Sequence, residues 1–160
     1  MNGLGARIPG VLGTTFILAR HPFPTGDPME TVAVNTGGRT EVVDVTGLVD
    51  GVVRSSGVQE GVAIVHTPHT TTAIVVNEGE GRLEQDLLDW SAKMAPEGAG
   101  YRHDGTDGNA HAHLRGMMLG ASATIPVTGG RLSLGTWQSV LFVELDGPRD
   151  RRLNVQVIGD

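Results

Sequence analysis

The sequence contains no cysteine, few aromatic residues and few basic ones. Without cysteine the chain forms no disulfides and has neither a thiol nucleophile nor the thiolate ligands of iron–sulfur and many zinc sites. Aromatic residues make up 4% of the 160 residues, so the core must consist mainly of Val, Leu, Ile and Ala. The 12 basic and 18 acidic residues give a net charge of −6. That charge argues against broad nucleic-acid binding, which requires many phosphates to be neutralised.

Long hydrophobic runs are also missing. No apolar stretch approaches the ~20 residues that a helix needs to cross a bilayer. The run 9–19, which follows Arg7, loosely imitates a secretory signal, but glycines and threonines interrupt it and no convincing cleavage site follows. We therefore expect a cytoplasmic protein that has no membrane partner.

The length and composition indicate one globular domain. Hydrophobic residues make up 39% of the chain, and its 24 glycines favour many tight turns and short strands. Prolines punctuate residues 1–28, which we interpret as a partly mobile N-terminal extension. Residues 29–160 are then a single domain.

The hydrophobic pattern predicts more strands than helices. Apolar residues at helical spacing predict a short helix between Thr46 and Gly57 and a longer one over 82–94. The Gly-, Asp- and His-rich segment 97–112 is typical of a functional loop. Strands are expected in two hairpin-like pairs, 31–35 with 41–45 and 61–66 with 71–76, and then at 117–125, 131–134, 139–145 and 153–158. Two helices among so many strands predict an α+β fold.

Histidines are the most conspicuous candidates for chemistry, since imidazole transfers protons near neutral pH and binds metals. His111 and His113 would point the same way on a strand but would diverge by about 200° on a helix, and the sequence leaves both open. For any single histidine, an ordinary structural role is the commoner case. A functional cluster is nevertheless favoured, because five of the six histidines lie in one segment: His66, His69, His103, His111 and His113.

Other polar residues near predicted strand ends are further candidates. Glu78 follows a strand directly and suits a base, a metal ligand or a solvated acid. Thr70 and Thr71 follow a Pro-His turn, where hydroxyl and backbone N–H groups can cradle a phosphate, although such a run is also ordinary strand composition. Trp137 and Gln138 follow a glycine turn and add an aromatic ring and an amide.

A small basic cluster lies near the C-terminus. Arg149, Arg151 and Arg152 fall within four positions of one another. We interpret them as solvated side chains or as an anion site.

Taken in order, these residues resemble the YjbQ-like family, also named for a secondary thiamine-phosphate synthase activity. The resemblance covers residues 30–160. His66 stands where we expect an apolar residue, and the spacing after Asn77-Glu78 is slightly short. The matching pieces are Pro68-His69-Thr70-Thr71, Asn77-Glu78, Asp86-Leu87, Tyr101-x-His103-Asp104, Asn109-Ala110-His111-Ala112-His113, Leu119-Gly120, Gly130-Arg131-Leu132, Gly135-Thr136-Trp137-Gln138 and Asp146-Gly147-Pro148-Arg149.

The resemblance implies a mixed, sandwich-like sheet with two main helices, assembled as a homotrimer with a pocket near the subunit boundary. It implies catalytic roles for His69, Glu78, His103 and His113. A divalent metal, zinc or magnesium, would be held by His69, His103 and His113. The ligand would be a small phosphorylated metabolite, contacted by Thr70, Thr71, Asn109, His111, Trp137 and Gln138.

The activity attached to the family joins a hydroxymethylpyrimidine diphosphate to a thiazole phosphate and releases pyrophosphate. Two alternatives come from other classes of protein. One is a metal-dependent hydrolase that activates a His-bound water. The other is a non-catalytic trimeric module that binds a small anion or metabolite.

Overall fold

Two sheets and three α-helices form the part of the chain that the structure, a computed structural model, describes, residues 29–160. The extension expected at 1–28 lies outside the described residues. The helices are α1 (Thr46–Ser56), α2 (Gly81–Met94) and α3 (Ala110–Leu119). The strands are β1 (Glu30–Asn35), β2 (Glu41–Asp44), β3 (Glu60–His66), β4 (Thr72–Glu78), β5 (Ser122–Thr128), β6 (Arg131–Leu132), β7 (Gln138–Glu144) and β8 (Asp150–Gly159).

The strand order confirms the α+β, sandwich-like fold. One sheet has the order β1-β8-β3-β5-β6 and the other the order β2-β7-β4. Every strand pair between described residues is antiparallel rather than mixed. The two predicted hairpin pairs are wrong, since β1 and β2 lie in different sheets, as do β3 and β4. In the first connection, the N–H groups of Gly37 and Gly38 donate to the carboxylate of Glu41 instead of closing a hairpin.

The main core fills the space between the two sheets, and α1 closes one side of it. Side chains alternate between the faces of a strand, so Ile74 and Phe142 point into this core. Their neighbours Ala73 and Val143 belong to a second cluster on the other face of the three-stranded sheet. Helices α2 and α3 cover that face through residues such as Leu87, Leu88, Ala112 and Leu119.

Helix α3 was not predicted, because the sequence pattern assigned its first residues to a loop at 97–112 and its last residues to a strand at 117–125. The helix instead runs to Leu119, and the strand begins at Ser122. Its apolar Met117 and Met118 are exposed, so the apolar run does not mark a buried strand. A Cβ on Gly116 would lie 3.2 Å from the carbonyl oxygens of Thr70 and Thr72, so glycine lets α3 pack closely against the start of β4.

Within residues 29–160, no helix combines the length and the hydrophobicity needed to cross a membrane.

Candidate functional site

A polar cavity of about 650 Å³ opens where the turn before β4, the start of α3 and the β7–β8 connection meet. The turn contributes backbone and hydroxyl groups, α3 contributes an imidazole, and the β7–β8 side contributes guanidinium and carboxylate groups. The lining residues are Pro68, His69, Thr70, Thr71, Asp107, Asn109, His113, Asp146, Arg149 and Arg151.

A buried ion pair joins the two sheets beside this cavity. Glu144, the last residue of β7, is 0% exposed, and Arg151 of β8 is 6% exposed. The Nε of Arg151 donates to Oε2 of Glu144 and its Nη2 donates to Oε1, each over 2.6 Å. Nη2 also donates to the hydroxyl of Thr71 over 3.0 Å. Three hydrogen bonds therefore fix the plane of the Arg151 guanidinium.

Further hydrogen bonds hold the Glu144 carboxylate in place. Its Oε1 accepts from the backbone N–H of Leu145 and of Asp146, and its Oε2 accepts from the hydroxyl of Thr36. Burial by itself would raise the pKa of Glu144, but these hydrogen bonds and the one from Arg151 outweigh it and hold that pKa below the ordinary value. The carboxylate is therefore ionised at neutral pH.

His69 is held as a neutral imidazole. Its Nε2 accepts a hydrogen bond from the backbone N–H of Arg152 over 3.0 Å, so in the neutral ring the proton resides on Nδ1. Burial lowers the pKa of His69, and the nearby charges of Arg151 and Arg152 lower it further. At neutral pH His69 thus offers an Nδ1–H donor, and the Nε2 lone pair is already in use.

His103 and His113 lie in ring contact. Their centroids are 4.9 Å apart and their planes meet at 82°, an edge-to-face arrangement. His113 lines the cavity, whereas His103, in a short 3₁₀ turn at Arg102–Gly105, adjoins it through His113. The structure therefore places His69 and His113 on one cavity, with His103 behind His113.

His111 does not line the cavity. Because α3 is helical, His111 and His113 diverge, and His111 is 2% exposed. Its Nδ1 has no hydrogen-bond partner among the described residues. Burial, followed by the charge of Arg115, lowers the pKa of His111, so this ring is neutral at neutral pH. Within one subunit His111 therefore does not face the cavity, and its contact with a ligand stays a prediction.

Asn109 and Arg149 meet on one carboxylate at the mouth of the cavity. The amide of Asn109 donates to Oδ2 of Asp146 over 3.0 Å, and Nη2 of Arg149 donates to the same oxygen over 3.1 Å. Oδ1 of Asn109 is buried and has no partner within residues 29–160. This part of the cavity therefore presents one exposed guanidinium, whereas the unsatisfied amide oxygen of Asn109 is buried.

Glu78, Trp137 and Gln138 lie at the opposite end of the three-stranded sheet. Glu78 pairs with Gln138 at the last position of the seven-residue β4, roughly 20 Å from its first residue. The side chain of Gln138 accepts from the N–H of Gly135 and so closes a local turn. Trp137 is 73% exposed. Within one subunit, none of the three lines the cavity with the histidines.

Sequence reasoning missed Glu144 altogether. The sequence does indicate its role, because Glu144 is the single acidic residue in the apolar run Val140–Leu145. A charged side chain in a buried strand must be paired with a partner of opposite charge. The small basic cluster at 149–152 was noted, but the buried position of Arg151 was not recognised.

Within one subunit, the described residues do not fit a resident metal ion. They contain no group of three or more His, Asp or Glu side chains arranged to hold one. In addition, His69 uses its Nε2 as an acceptor and carries the ring proton on Nδ1, which leaves no lone pair for a metal. The metal set His69, His103 and His113 remains a prediction, and no chemical step below depends on it.

Comparison with protein families gives one assignment for nearly the whole described region. Residues 30–160 match the family model described as UPF0047 protein YjbQ-like. A UPF0047 protein of Archaeoglobus fulgidus is 47% identical over 127 residues, which are 79% of this chain and 98% of that protein. The UPF0047 protein YugU of Bacillus subtilis is 35% identical and covers 82% of this chain and 99% of its own length.

Solved structures agree with this assignment. A hypothetical protein from Aeropyrum pernix K1 superposes with a TM-score of 0.81 at 44% identity, covering 84% of this chain and all of its own. A YbjQ-like protein of unknown function from Sulfolobus solfataricus gives the same TM-score at 38% identity, covering 83% of this chain and 97% of its own.

Proposed function

Because the chain belongs to the UPF0047, YjbQ-like family, we propose that its polar cavity binds a small phosphorylated metabolite and has thiamine-phosphate synthase activity in the cytoplasm. The observation that carries the proposal is the guanidinium of Arg151, fixed at the cavity wall by a buried carboxylate. A fixed guanidinium is a specific partner for phosphate oxygens.

The other cavity groups suit the same class of ligand. Arg149 supplies a second guanidinium, and the neutral His69 supplies an Nδ1–H donor. Thr70 and Thr71 contribute hydroxyl and backbone groups next to them. Asp107 provides acceptors for the amino or hydroxyl groups of a heterocycle. The cavity thus offers donors for an anion and acceptors for a polar ring.

The reaction requires little proton transfer. The bond between the methylene carbon of the pyrimidine and the diphosphate oxygen breaks, and its electron pair leaves with pyrophosphate. The thiazole ring nitrogen then forms the new C–N bond and becomes the cationic nitrogen of the product, so no base has to remove a proton from it. Arg149 and Arg151 stabilise the charge on the leaving pyrophosphate, while His69 and His113 orient the ligand.

We propose that the protein acts as a homotrimer. Large apolar side chains are exposed on α2 and α3, among them Trp90, Met94 and Met117. An apolar cleft of about 410 Å³ lies beside Trp90, between α2 and the three-stranded sheet. Glu78, Trp137 and Gln138 would reach a histidine cavity only across a subunit boundary.

Light scattering tests the assembly. The expected mass is three times the 16.8 kDa of one chain at micromolar concentration. A monomer mass would contradict the homotrimer.

The activity is tested by mixing the protein with hydroxymethylpyrimidine diphosphate and thiazole phosphate and measuring thiamine phosphate and pyrophosphate. We expect both products in equal amounts. We also expect at least a tenfold lower rate in Arg151→Lys, because the ammonium group of lysine cannot reproduce the bidentate hydrogen bonding of a guanidinium. Arg131→Lys is the matched control, since Arg131 pairs with Asp50 far from the cavity. Tight binding without turnover would instead identify a binding module, and absence of binding would refute the proposal.

A further inference from the structure

We propose that Glu144 is a positioning residue for ligand binding: by holding Arg151 it directs the Nη1 edge of that guanidinium into the cavity, where Nη1 donates to a phosphate oxygen. The inference rests on the proposed function and deepens it, because it explains how one cation of the cavity acquires a fixed direction.

The hydrogen bonds of Arg151 leave one edge of its guanidinium available. Nε and Nη2 are engaged by Glu144, and Nη2 also by Thr71. Nη1 forms no hydrogen bond with any residue in the described range 29–160, and Arg151 lines the cavity. Nη1 is not among the buried side-chain atoms that lack a partner, so this edge of the guanidinium is accessible from the cavity and can donate to a ligand there.

The environment of Glu144 shows why it acts as an anchor. The carboxylate is 0% exposed and accepts from two backbone N–H groups, a hydroxyl and both prongs of the guanidinium. It therefore cannot reach a ligand itself. Its influence on the cavity passes through Arg151.

A second buried arginine provides a natural comparison. Arg115 is also 6% exposed, and its Nε and Nη2 both donate to the carbonyl oxygen of Ala95 at the end of α2. It does not line the cavity. Loss of either guanidinium disturbs a buried network, but only the loss of Arg151 should change ligand affinity.

The test measures binding of inorganic pyrophosphate to the full chain by titration calorimetry, with the fold of each variant checked by circular dichroism. Glu144→Gln and Arg151→Lys should each weaken binding about tenfold or more, as expected for a lost hydrogen bond to a charged group. The double variant should bind no more weakly than the weaker single variant, because both changes act through the same N–H edge. Arg115→Lys should bind like the wild type.

Thr71→Val gives a second route if Glu144→Gln fails to fold. It removes only the hydroxyl that accepts from Nη2, and it should weaken pyrophosphate binding severalfold in the wild type but not in the Arg151→Lys background.

The outcomes separate this inference from the proposed function. If Glu144→Gln binds pyrophosphate with wild-type affinity, or if the losses of affinity of the two single variants add in the double variant, the positioning role of Glu144 is wrong. The proposal that the cavity binds phosphate is then unaffected. If Arg115→Lys loses as much affinity for pyrophosphate as the other variants, the losses reflect general structural damage, and this outcome also contradicts the positioning role of Glu144. If the wild type binds neither pyrophosphate nor inorganic phosphate, the proposed function fails and the inference fails with it.

Discussion

The two ends of the three-stranded sheet differ in how they hold their polar residues. At one end, Glu144 and Thr71 are buried and hydrogen-bonded to the buried Arg151 of the other sheet, beside a cavity; these three residues define the closed end. At the open end, defined by Glu78, Trp137 and Gln138, they are exposed. Motif residues lie at both ends, but within one subunit only the closed end combines buried, mutually hydrogen-bonded polar groups with the polar cavity.

The largest expected effect comes from breaking the ion pair at the closed end. Arg151→Met should lower the free energy of unfolding by about 3–5 kcal/mol, because it leaves the buried Glu144 without its partner. Glu78→Gln at the open end should leave that free energy almost unchanged, since Glu78 is exposed. Urea denaturation of both variants is the measurement. If the two variants change the free energy of unfolding by similar amounts, the closed end is no more important for stability than the open end, and the comparison fails.

A glycine at each end gives a smaller, matched contrast. A Cβ on Gly147 would lie 2.5 Å from the carbonyl oxygen of Gly38 and 2.7 Å from Cγ of Glu144, so Gly147→Ala must displace backbone as well as the carboxylate. We expect a loss of about 1–3 kcal/mol, typical of overpacking. A Cβ on Gly135 would lie 3.4 Å from the flexible amide of Gln138, so Gly135→Ala should cost much less. Thermal melting compares the two, and an equal cost would contradict the account.

The smallest expected effect is a pH dependence from the closed end. The pKa of His69 is lowered in the folded protein, so the unfolded chain binds more protons once the pH falls below the ordinary value of about 6.5. The stabilisation is therefore complete above about pH 6.5 and is lost as the pH falls toward the folded-state pKa. His69→Gln should lose less thermal stability than the wild type between pH 7.5 and pH 5.

His66→Gln is the control for this pH dependence. His66 is exposed at the end of β3, next to the same turn. It should follow the wild-type curve of melting temperature against pH. If the curve of melting temperature against pH becomes flatter in His66→Gln but not in His69→Gln, the pH dependence comes from His66 and the prediction for His69 is wrong.

The sequence predicted those parts of the fold that depend on local periodicity. Helix α1 ends at Gly57, whose φ of 77° is a conformation that glycine tolerates, as its position suggested. The apolar spacing of α2 was also sufficient to find that helix. Strand partners were mispredicted because pairing depends on contacts across the whole chain, such as those between β1 and β8, which no local turn signal reveals.

The candidate site was predictable only in part, for a related reason. His69 and His113 were recognised from residue type, and both line the cavity. Glu144 was missed, and Arg151 was noted only as part of a basic cluster, because their pairing depends on two strands of different sheets meeting at one point. Glu78 was included because it directly follows a strand and because the family resemblance implied a catalytic role, although β4 separates it from His69 in space.

The central claim is that the closed end binds phosphorylated ligands through Arg151. A crystal structure of the full chain grown with inorganic pyrophosphate, with anomalous data collected to detect metal, tests it most directly. We predict pyrophosphate in the cavity with an oxygen within hydrogen-bonding distance of Nη1 of Arg151. Pyrophosphate bound only at the open end, or through a metal held by His69, His103 and His113 with Arg151 uninvolved, would contradict the account.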